Sequence, residues 1–340
     1  MRYRNEDFTL RNKRIFADEF DSWIPPKVLD IHMHIISSSA VPGGVFHCAG
    51  EDLPKWDFDD FGRDMPNVFP GREVSALCFG WPDPTFDLAA NNAYLAAATD
   101  RRRTWPLRLL SPAESPADVE RDIEQGRFLG FKPYPDFVGG NPADVEIDQM
   151  LPPWAMDIAN RHGLLIMLHI PRPGRIADPL NQEQLRRLCG RYPQADIVLA
   201  HIGRAYWLAN VRGNLDGLRD IPNLHVDTTM VTHWEVIEHA MERLRPDQLL
   251  FGSDAPLALR PGKSIEINNG YTYVTPDPWR LSIHDVHQKL DFTSFLYEEL
   301  RAIARAASRL GLGPDYLHDV MWTNGMRLIE KRTRHPSAAR

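Results

Sequence analysis

The chain has 340 residues, of which 43% are hydrophobic and 25% are charged, and its formal net charge is −7. These values are ordinary for a globular protein and exclude a disordered, collagen-like or coiled-coil chain. The negative charge argues against general binding to nucleic acid or to an anionic membrane. No apolar run approaches the ~18 residues of a membrane helix.

The cysteines and the N-terminal stretch bear on the compartment. Cys48, Cys78 and Cys189 are odd in number and widely spaced, which argues against a disulfide framework and favours a reducing compartment. The charged stretch MRYRNEDFTLRNKR has no apolar signal core. We therefore expect a cytoplasmic protein.

Eight short apolar runs predict β-strands. Each is four to eight residues long, and several lack polar alternation, which is typical of strands buried on both faces. The runs are VLDIHMH (28–34), VSALCFGW (74–81), WPLRLL (105–110), LGFKPY (129–134), LLIMLH (164–169), DIVLAH (196–201), NLHVDTT (223–229) and QLLFGSD (248–254).

Amphipathic stretches between these runs predict helices. They cover 86–102, 116–127, 153–162, 179–190, 204–219, 233–244 and 292–311. Ser115 and Pro116 suit an N-cap and a first helical position, and Gly311 suits the residue after a helix end. Strands alternating with helices predict an α/β fold, a (β/α)8 TIM barrel. A doubly wound open sheet is the alternative, but no glycine-rich phosphate loop follows the first strand.

The domain organisation follows from the same pattern. We expect one barrel domain over 28–330, an N-terminal extension over 1–27 and a flexible tail over 331–340. Two gaps, 35–72 after the first strand and 255–291 after the eighth, are too long for ordinary connections. They predict lids at the carboxyl-terminal face of the barrel, where active sites lie.

Ligand-type side chains end several of the predicted strands. His32 and His34 share one face of the first strand, because alternate residues point the same way. His169, His201 and Asp254 end the fifth, sixth and eighth runs. Five ligand-type residues at one end of the barrel are better explained by a shared metal site than by five unrelated polar side chains. The nitrogen and oxygen donors suit Zn²⁺, Mn²⁺ or Fe²⁺.

Ordered motifs in the chain resemble those of the amidohydrolase superfamily. They are VLDIHMH, LLIMLHI, ADIVLAHIGRAY, NLHVDTT and QLLFGSDAPL. The chain is similar to the amidohydrolase-related branch, which includes TIM-barrel metal-dependent hydrolases and the aminocarboxymuconate-semialdehyde and resorcylate decarboxylases. NGMR (324–327) stands where Asn-Ala-x-Arg is usual in the closing helix of that branch. The resemblance covers about 28–330 and is specific for the superfamily, not for a substrate.

The resemblance implies a role for each strand-end residue. His32, His34, His169 and Asp254 would bind one divalent metal, with zinc expected first and manganese or iron as alternatives. His201 would be the general acid/base, and Asp254 would also take a proton from the bound water. Zinc lowers the pKa of its water toward ~7, so this assignment is chemically consistent. The resemblance also implies a homodimer.

Lys132 ends the fourth run and leaves an alternative open. In binuclear superfamily members such as dihydroorotases, a carboxylated lysine on the fourth strand bridges two metals, and KPYP (132–135) resembles their Lys-x-Tyr-Pro phrase. His169 and His201 would then hold the second metal. Otherwise Lys132 binds a substrate carboxylate or pairs with Asp254. The phrases around the other candidate ligands are more similar to the mononuclear branch.

Arginines and aromatic residues near the strand ends indicate the substrate class. Guanidinium groups around a cationic site favour a small anionic molecule, because they bind carboxylates with two hydrogen bonds. The arginines are Arg172, Arg175, Arg204 and Arg260. Aromatic side chains there would form the wall of a pocket for a planar or apolar part of the substrate. These are Trp81, Tyr134, Tyr206 and Trp207.

Three functional hypotheses follow from the sequence. The first is a metal-dependent hydrolase of a C–O or C–N acyl bond in a small carboxylate-bearing metabolite, such as a lactone, amide or ester. The second is a non-oxidative decarboxylase, which would use the same ligands and differ in its product. The third is a non-catalytic binding barrel, against which the complete ligand set argues.

Overall fold

A computed structural model describes residues 4–333, and all eight predicted runs contain a strand. Each strand is parallel to the next in chain order, so the fold is mixed α/β with a parallel sheet. The strands are β1 (Lys27–His34), β2 (Glu73–Phe79), β3 (Thr104–Pro106 and Arg108–Leu110), β4 (Gly130–Pro133), β5 (Leu165–Leu168), β6 (Asp196–Leu199), β7 (Leu224–Asp227) and β8 (Leu249–Leu250).

The residues that follow β8 run alongside β1. Three backbone hydrogen bonds join them, and Met33 forms a parallel bridge with Ala255. The bonds run from Ile31 N to Phe251 O (3.0 Å), from Asp254 N to His32 O (2.8 Å) and from His34 N to Ala255 O (2.9 Å). This pairing places Asp254 beside both histidines of β1.

Helices lie between the strands at most of the predicted positions. Pro116 occupies the first position of its helix as predicted, although the Ser115 side chain makes no capping hydrogen bond. Gly311 follows its helix with φ +66°, the left-handed conformation expected there. The α-helices are Glu6–Ile15, Phe58–Val68, Leu88–Ala98, Pro116–Glu124, Ile147–Met150, Pro153–His162, Pro179–Arg191, Leu208–Val211, Trp234–Arg243, Phe295–Arg309, Pro314–His318 and Asn324–Thr333.

The helix predicted over 204–219 is wrong. Only a four-residue helix, Leu208–Val211, and a 3-10 turn, Asp216–Leu218, occur in that range. At the start of this range φ is positive at His201 (57°), Ile202 (50°) and Arg204 (61°). Left-handed backbone cannot form part of a right-handed helix, so a helix cannot begin at Arg204.

The two long gaps contain small elements of their own. The segment 35–72 holds an antiparallel pair and a helix that begins at Asp57 with a capping box closed by Asp60. The segment 255–291 holds a three-stranded sheet. The short strands are Phe46–Cys48 and Glu51–Leu53 in the first, and Lys263–Ile267, Gly270–Thr275 and Ser282–His284 in the second.

The strands are buried on both faces, as their unbroken apolar sequence predicts. Side chains such as Val28 and Ala76 belong to a large cluster packed under the helices. Side chains of opposite orientation, such as Leu29 and Leu77, form a second cluster that includes Leu328 of the last helix. The sheet is therefore a rigid platform for the residues at its carboxyl end.

The ends of the predicted domain differ in detail from expectation. Lys27, assigned to the extension, is the first residue of β1. Lys331 and Arg332, assigned to the flexible tail, belong to the last helix, where both bind Asp196. Residues 334–340 of the predicted tail lie outside the described range.

Two further sequence expectations can be compared with the structure. All three cysteines are free and buried. Within residues 4–333, no helix combines the length and the apolar character needed to cross a bilayer.

Candidate active site

The carboxyl ends of the strands open into a cavity of about 1180 Å³. Of the fourteen residues singled out from the sequence as ligands, catalysts or substrate contacts, ten line this cavity. They are His32, His34, Trp81, Lys132, Tyr134, His169, His201, Arg204, Tyr206 and Asp254. Arg172 does not line it, and its guanidinium binds Asp178 at 3.0 Å instead.

His32, His34 and Asp254 form a buried group of ligand-type atoms. His34 Nε2 lies 2.9 Å and His32 Nε2 3.6 Å from Asp254 Oδ1. One donor atom from each of the three lies within 4.8 Å of the others, so the group could hold a metal ion. All three side chains are buried, which favours an ion over water as their common partner.

Three of the imidazoles are held by acceptors at Nδ1. His32 Nδ1 contacts Asp227 Oδ2 at 2.8 Å, and His34 Nδ1 contacts the carbonyl of Gly80 at 2.8 Å. His201 Nδ1 contacts the carbonyl of Thr229 at 2.9 Å. A carbonyl oxygen only accepts, so Nδ1 donates and the proton sits there. The Nε2 lone pairs are left for a metal or a proton, as in metal sites with oriented histidines.

His169 lies beside His201 and outside the group of His32, His34 and Asp254. Its ring lies 5.4 Å from that of His201 and stacks on Tyr134 at 4.4 Å between ring centroids. Tyr134 Oη lies 3.4 Å from Nε2. Nδ1 is buried and has no hydrogen-bond partner in the part of the chain that the structure describes. A buried imidazole nitrogen without a partner is costly, unless it binds an ion.

Burial dominates the ionisation of the site. It holds the pKa of His32 and of His169 well below the ordinary histidine value, so both rings are neutral at pH 7. Burial also opposes ionisation of Asp254. The hydrogen bond with His34 and the electrostatic effect of the nearby histidines outweigh burial and lower the pKa of Asp254, which stays a carboxylate.

Lys132 is the one buried cation at the centre of this group among the residues described. Its Nζ lies 3.4 Å from His32 Nε2 and 4.6 Å from the centre of the Phe79 ring. Burial lowers the pKa of Lys132 to about 8, although Asp254 and Asp227 act in the opposite direction. A lysine in this state suits an anionic partner or a modification that removes its charge.

The arginines predicted near the site have different surroundings. Arg204 lines the cavity, and its Nη1 donates to the carbonyl of Ile170 at 3.1 Å. Arg175 stacks over Tyr271 at 4.5 Å and donates to its hydroxyl at 3.0 Å. Arg260 is buried against Glu51, so it joins the two long segments.

Aromatic side chains form the walls of the cavity. Trp81 packs against His34 with ring centroids 5.1 Å apart. On the other side, Tyr206 stacks on Tyr271 at 4.5 Å, and Tyr273 packs against Trp279 at 5.1 Å. Trp207, which the sequence also indicated, does not line the cavity but stacks behind Tyr271.

Sequence analysis missed Asp227 and the tyrosines of the second segment. Asp227 is fully buried and contacts both His32 and the backbone of His201. The signal was present, because run seven carries an aspartate near its end as run eight does. Tyr271 and Tyr273 alternate along a short strand within 255–291, a segment that was predicted to be a lid but was not assigned a strand.

The chain belongs to the amidohydrolase family, whose family model, described as Amidohydrolase, matches residues 30–328. It is therefore an enzyme of a metal-dependent family. No curated protein sequence matches it.

Solved structures with the same fold include proteins that are named for different reactions. An amidohydrolase from Burkholderia multivorans with bound zinc is 13% identical, with a TM-score of 0.57 over 89% of this chain and 99% of that one. A probable 2-pyrone-4,6-dicarboxylic acid hydrolase from Acinetobacter baumannii is 14% identical, with a TM-score of 0.55 over 89% and 99%. A 2,6-dihydroxybenzoate decarboxylase is 13% identical, with a TM-score of 0.53 over 90% and 99%.

Proposed function

We propose that this enzyme hydrolyses a C–O or C–N acyl bond of a small carboxylate-bearing metabolite with the help of one divalent metal. The observation that carries this proposal is the meeting of His34 Nε2 and Asp254 Oδ1 at 2.9 Å, beside His32 and in a cavity that also contains Arg204. This arrangement places a group of residues that could bind a metal in the same cavity as Arg204, a cation that could bind a substrate carboxylate.

We infer that the scaffold is a closed (β/α)8 barrel. The backbone bonds between β1 and the residues after β8 support closure, as does the likeness to amidohydrolase structures. We infer further that the segments 35–72 and 255–291 are lids, since residues of both line the cavity.

The residues present fit a metal ion. His32, His34, His169 and Asp254 would hold it, because three imidazole nitrogens and one carboxylate are a common donor set for zinc. The partnerless Nδ1 of His169 supports its inclusion. When bound, a divalent metal would lower the pKa of water and polarise a carbonyl oxygen.

Residues of the chain would supply the remaining chemistry. Asp254 is held as a carboxylate and would accept a proton from water. His201 presents Nε2 to the cavity and would pass a proton to the leaving group or hydrogen-bond the carbonyl oxygen. Arg204 and Lys132 would bind the carboxylate of the substrate and fix the acyl group near Asp254.

A decarboxylase is the second candidate, and the stacked aromatic wall favours it. Tyr206 and Tyr271 face a cavity whose other side carries Trp81. Flat walls of this kind suit a planar ring acid. The same residues would then hold the ring and its carboxylate, and His201 would deliver a proton to carbon as carbon dioxide leaves.

A binuclear site is the remaining alternative. It requires carboxylated Lys132 as a bridge, with His169 and His201 on a second ion. Lys132 is buried beside His32, and burial lowers the pKa of Lys132 to about 8, which eases the loss of the proton that carboxylation requires. The number of metal ions per chain separates this arrangement from the mononuclear one.

The test is a substrate panel assayed for two products. Carboxylated lactones and esters are followed by pH-stat titration, amides by release of the amine, and aromatic and dienoic acids by release of carbon dioxide. We expect acid release that is lost after chelation, restored by Zn²⁺ and absent in Asp254→Asn. If carbon dioxide is the only product released, the decarboxylase hypothesis replaces the hydrolase hypothesis. No turnover by the zinc-loaded enzyme on any member would contradict both.

A further inference from the structure

Asp227 is shared between two residues of the candidate active site. It ends β7 with its side chain fully buried. Its Oδ2 lies 2.8 Å from His32 Nδ1, and its Oδ1 lies 2.6 Å from the backbone nitrogen of His201. The nitrogen of Thr229 donates to the same Oδ1 at 3.3 Å. Three donors therefore converge on one carboxylate.

Each oxygen of Asp227 has a separate consequence. The bond at Oδ2 fixes the proton of His32 on Nδ1 and leaves Nε2 free to bind a metal. The bond at Oδ1 holds the backbone of His201, where φ is +57° and needs support from its surroundings. The bond to Thr229 orients the residue whose carbonyl accepts from His201 Nδ1.

We propose that Asp227 is a positioning residue that fixes His32 for metal binding and His201 for proton transfer through one carboxylate. The inference rests on the proposed function, since it takes His32 as a ligand and His201 as the acid/base. It adds a coupling between the two, because neither histidine can move its hydrogen bond without disturbing the shared acceptor.

Only a carboxylate satisfies this arrangement. An amide has one acceptor oxygen and one donor group, so Asp227→Asn would leave either His32 Nδ1 or the nitrogen of His201 facing a donor. The loop itself would stay anchored. Glu299 accepts independently from Met230 N and from Thr228 Oγ1, both at 2.8 Å.

Asp30 provides a matched control. It is also fully buried beneath the site, and it accepts from the backbone nitrogens of His32 (3.0 Å) and Ser253 (2.9 Å). It makes no hydrogen bond to an imidazole within residues 4–333. Asp30→Asn therefore removes an equally buried carboxyl group without changing the proton position of a candidate ligand.

The experiment measures Zn²⁺ affinity of the apoprotein by chelator competition, with histidine tautomers read from ¹⁵N spectra. We expect the dissociation constant to rise about 10- to 100-fold in Asp227→Asn but to stay within about threefold in Asp30→Asn. In the wild type we also expect the proton of both His32 and His201 to lie on Nδ1. In Asp227→Asn we expect either that His32 loses its Nδ1 proton or that the His201 signal shifts.

The outcomes separate this inference from the proposed function. If the wild type binds neither Zn²⁺ nor Mn²⁺, the metal proposal fails. If it binds zinc tightly and Asp227→Asn binds equally well, the positioning role is overturned. Should Asp227→Asn not fold, wild-type spectra with His32 protonated on Nε2 would overturn it. Asp227→Glu, which keeps two acceptors, should retain the wild-type tautomers.

Discussion

His34 and Asp254 come together at 2.9 Å where the residues after β8 run alongside β1. They are 220 positions apart in the chain, yet the backbone bond from Asp254 N to His32 O fixes their register. A contact set by the sheet is rigid, and rigidity is what a ligand set needs to hold an ion in one geometry. Substitutions in the cavity, between the two long segments and in the scaffold lead to four predictions.

His201→Asn should lower turnover by about 10²- to 10⁴-fold while metal content stays unchanged. His201 would transfer a proton and, in a mononuclear site, would not bind the metal, so turnover should change while metal content does not. Steady-state assays and elemental analysis check the two parts. His162→Asn is the control, because His162 binds Glu120 outside the cavity. Loss of metal in His201→Asn would make His201 a ligand and favour the binuclear alternative.

Arg204→Met should lower kcat/KM by about 10- to 100-fold, the value of a charge-assisted hydrogen bond to a substrate carboxylate. Arg204 lines the cavity, whereas Arg172 binds Asp178 outside it. Arg172→Met is therefore the matched control and should leave kcat/KM near the wild-type value. Equal effects of the two substitutions would show that Arg204 does not recognise the substrate.

Arg260→Met should loosen the contact between the two long segments and raise KM more than it lowers kcat. Arg260 is buried against Glu51, which lies in the other segment. Limited proteolysis should cut the variant faster within 46–53. Lys263→Met removes a more exposed ion pair of the same segment and serves as the control. Unchanged KM and cleavage would argue against a lid role.

Asp196→Asn should lower the free energy of unfolding at pH 7 by about 3–5 kcal/mol, because Arg332 would be left buried without its partner. Burial opposes ionisation of Asp196, but His225, Arg332 and Lys331 outweigh it and lower its pKa. The carboxylate thus stabilises the fold above the ordinary aspartate pKa, and this stability is lost as pH falls below it.

Denaturant unfolding of wild type and Asp196→Asn across acidic pH checks this prediction. The difference in free energy between them should be full at neutral pH and shrink below pH ~4. Asp247→Asn, which removes a more exposed carboxylate bound to Arg245, should change stability little. A difference independent of pH would contradict the ion-pair explanation.

The strands could be predicted from sequence because they are buried on both faces, and several of them therefore form apolar runs without polar alternation. The candidate ligands were visible for a related reason. A charged or imidazole side chain directly after such a run must lie at the end of the sheet, and parallel strands place those ends together. His32, His34 and Asp254 line the cavity for this reason.

The features that the sequence did not reveal depend on local backbone conformation and on contacts between residues that are far apart in the chain. The positive φ at His201 and Arg204 breaks a stretch whose periodicity favours a helix. The shared carboxylate of Asp227 needs two histidines from different strands, and no spacing in the chain encodes it. Strands of three residues, as at Phe46–Cys48, are too short for a period to show.

The most direct test of the central claim is metal content per chain after loading with Zn²⁺ and removal of free ion. The account predicts about one equivalent in the wild type, as for a single three-imidazole and carboxylate site. It predicts loss of that equivalent in His34→Ala and in Asp254→Ala, and retention in His162→Asn. Two equivalents would contradict the mononuclear site and make Lys132 a bridge. No bound metal would contradict the account altogether.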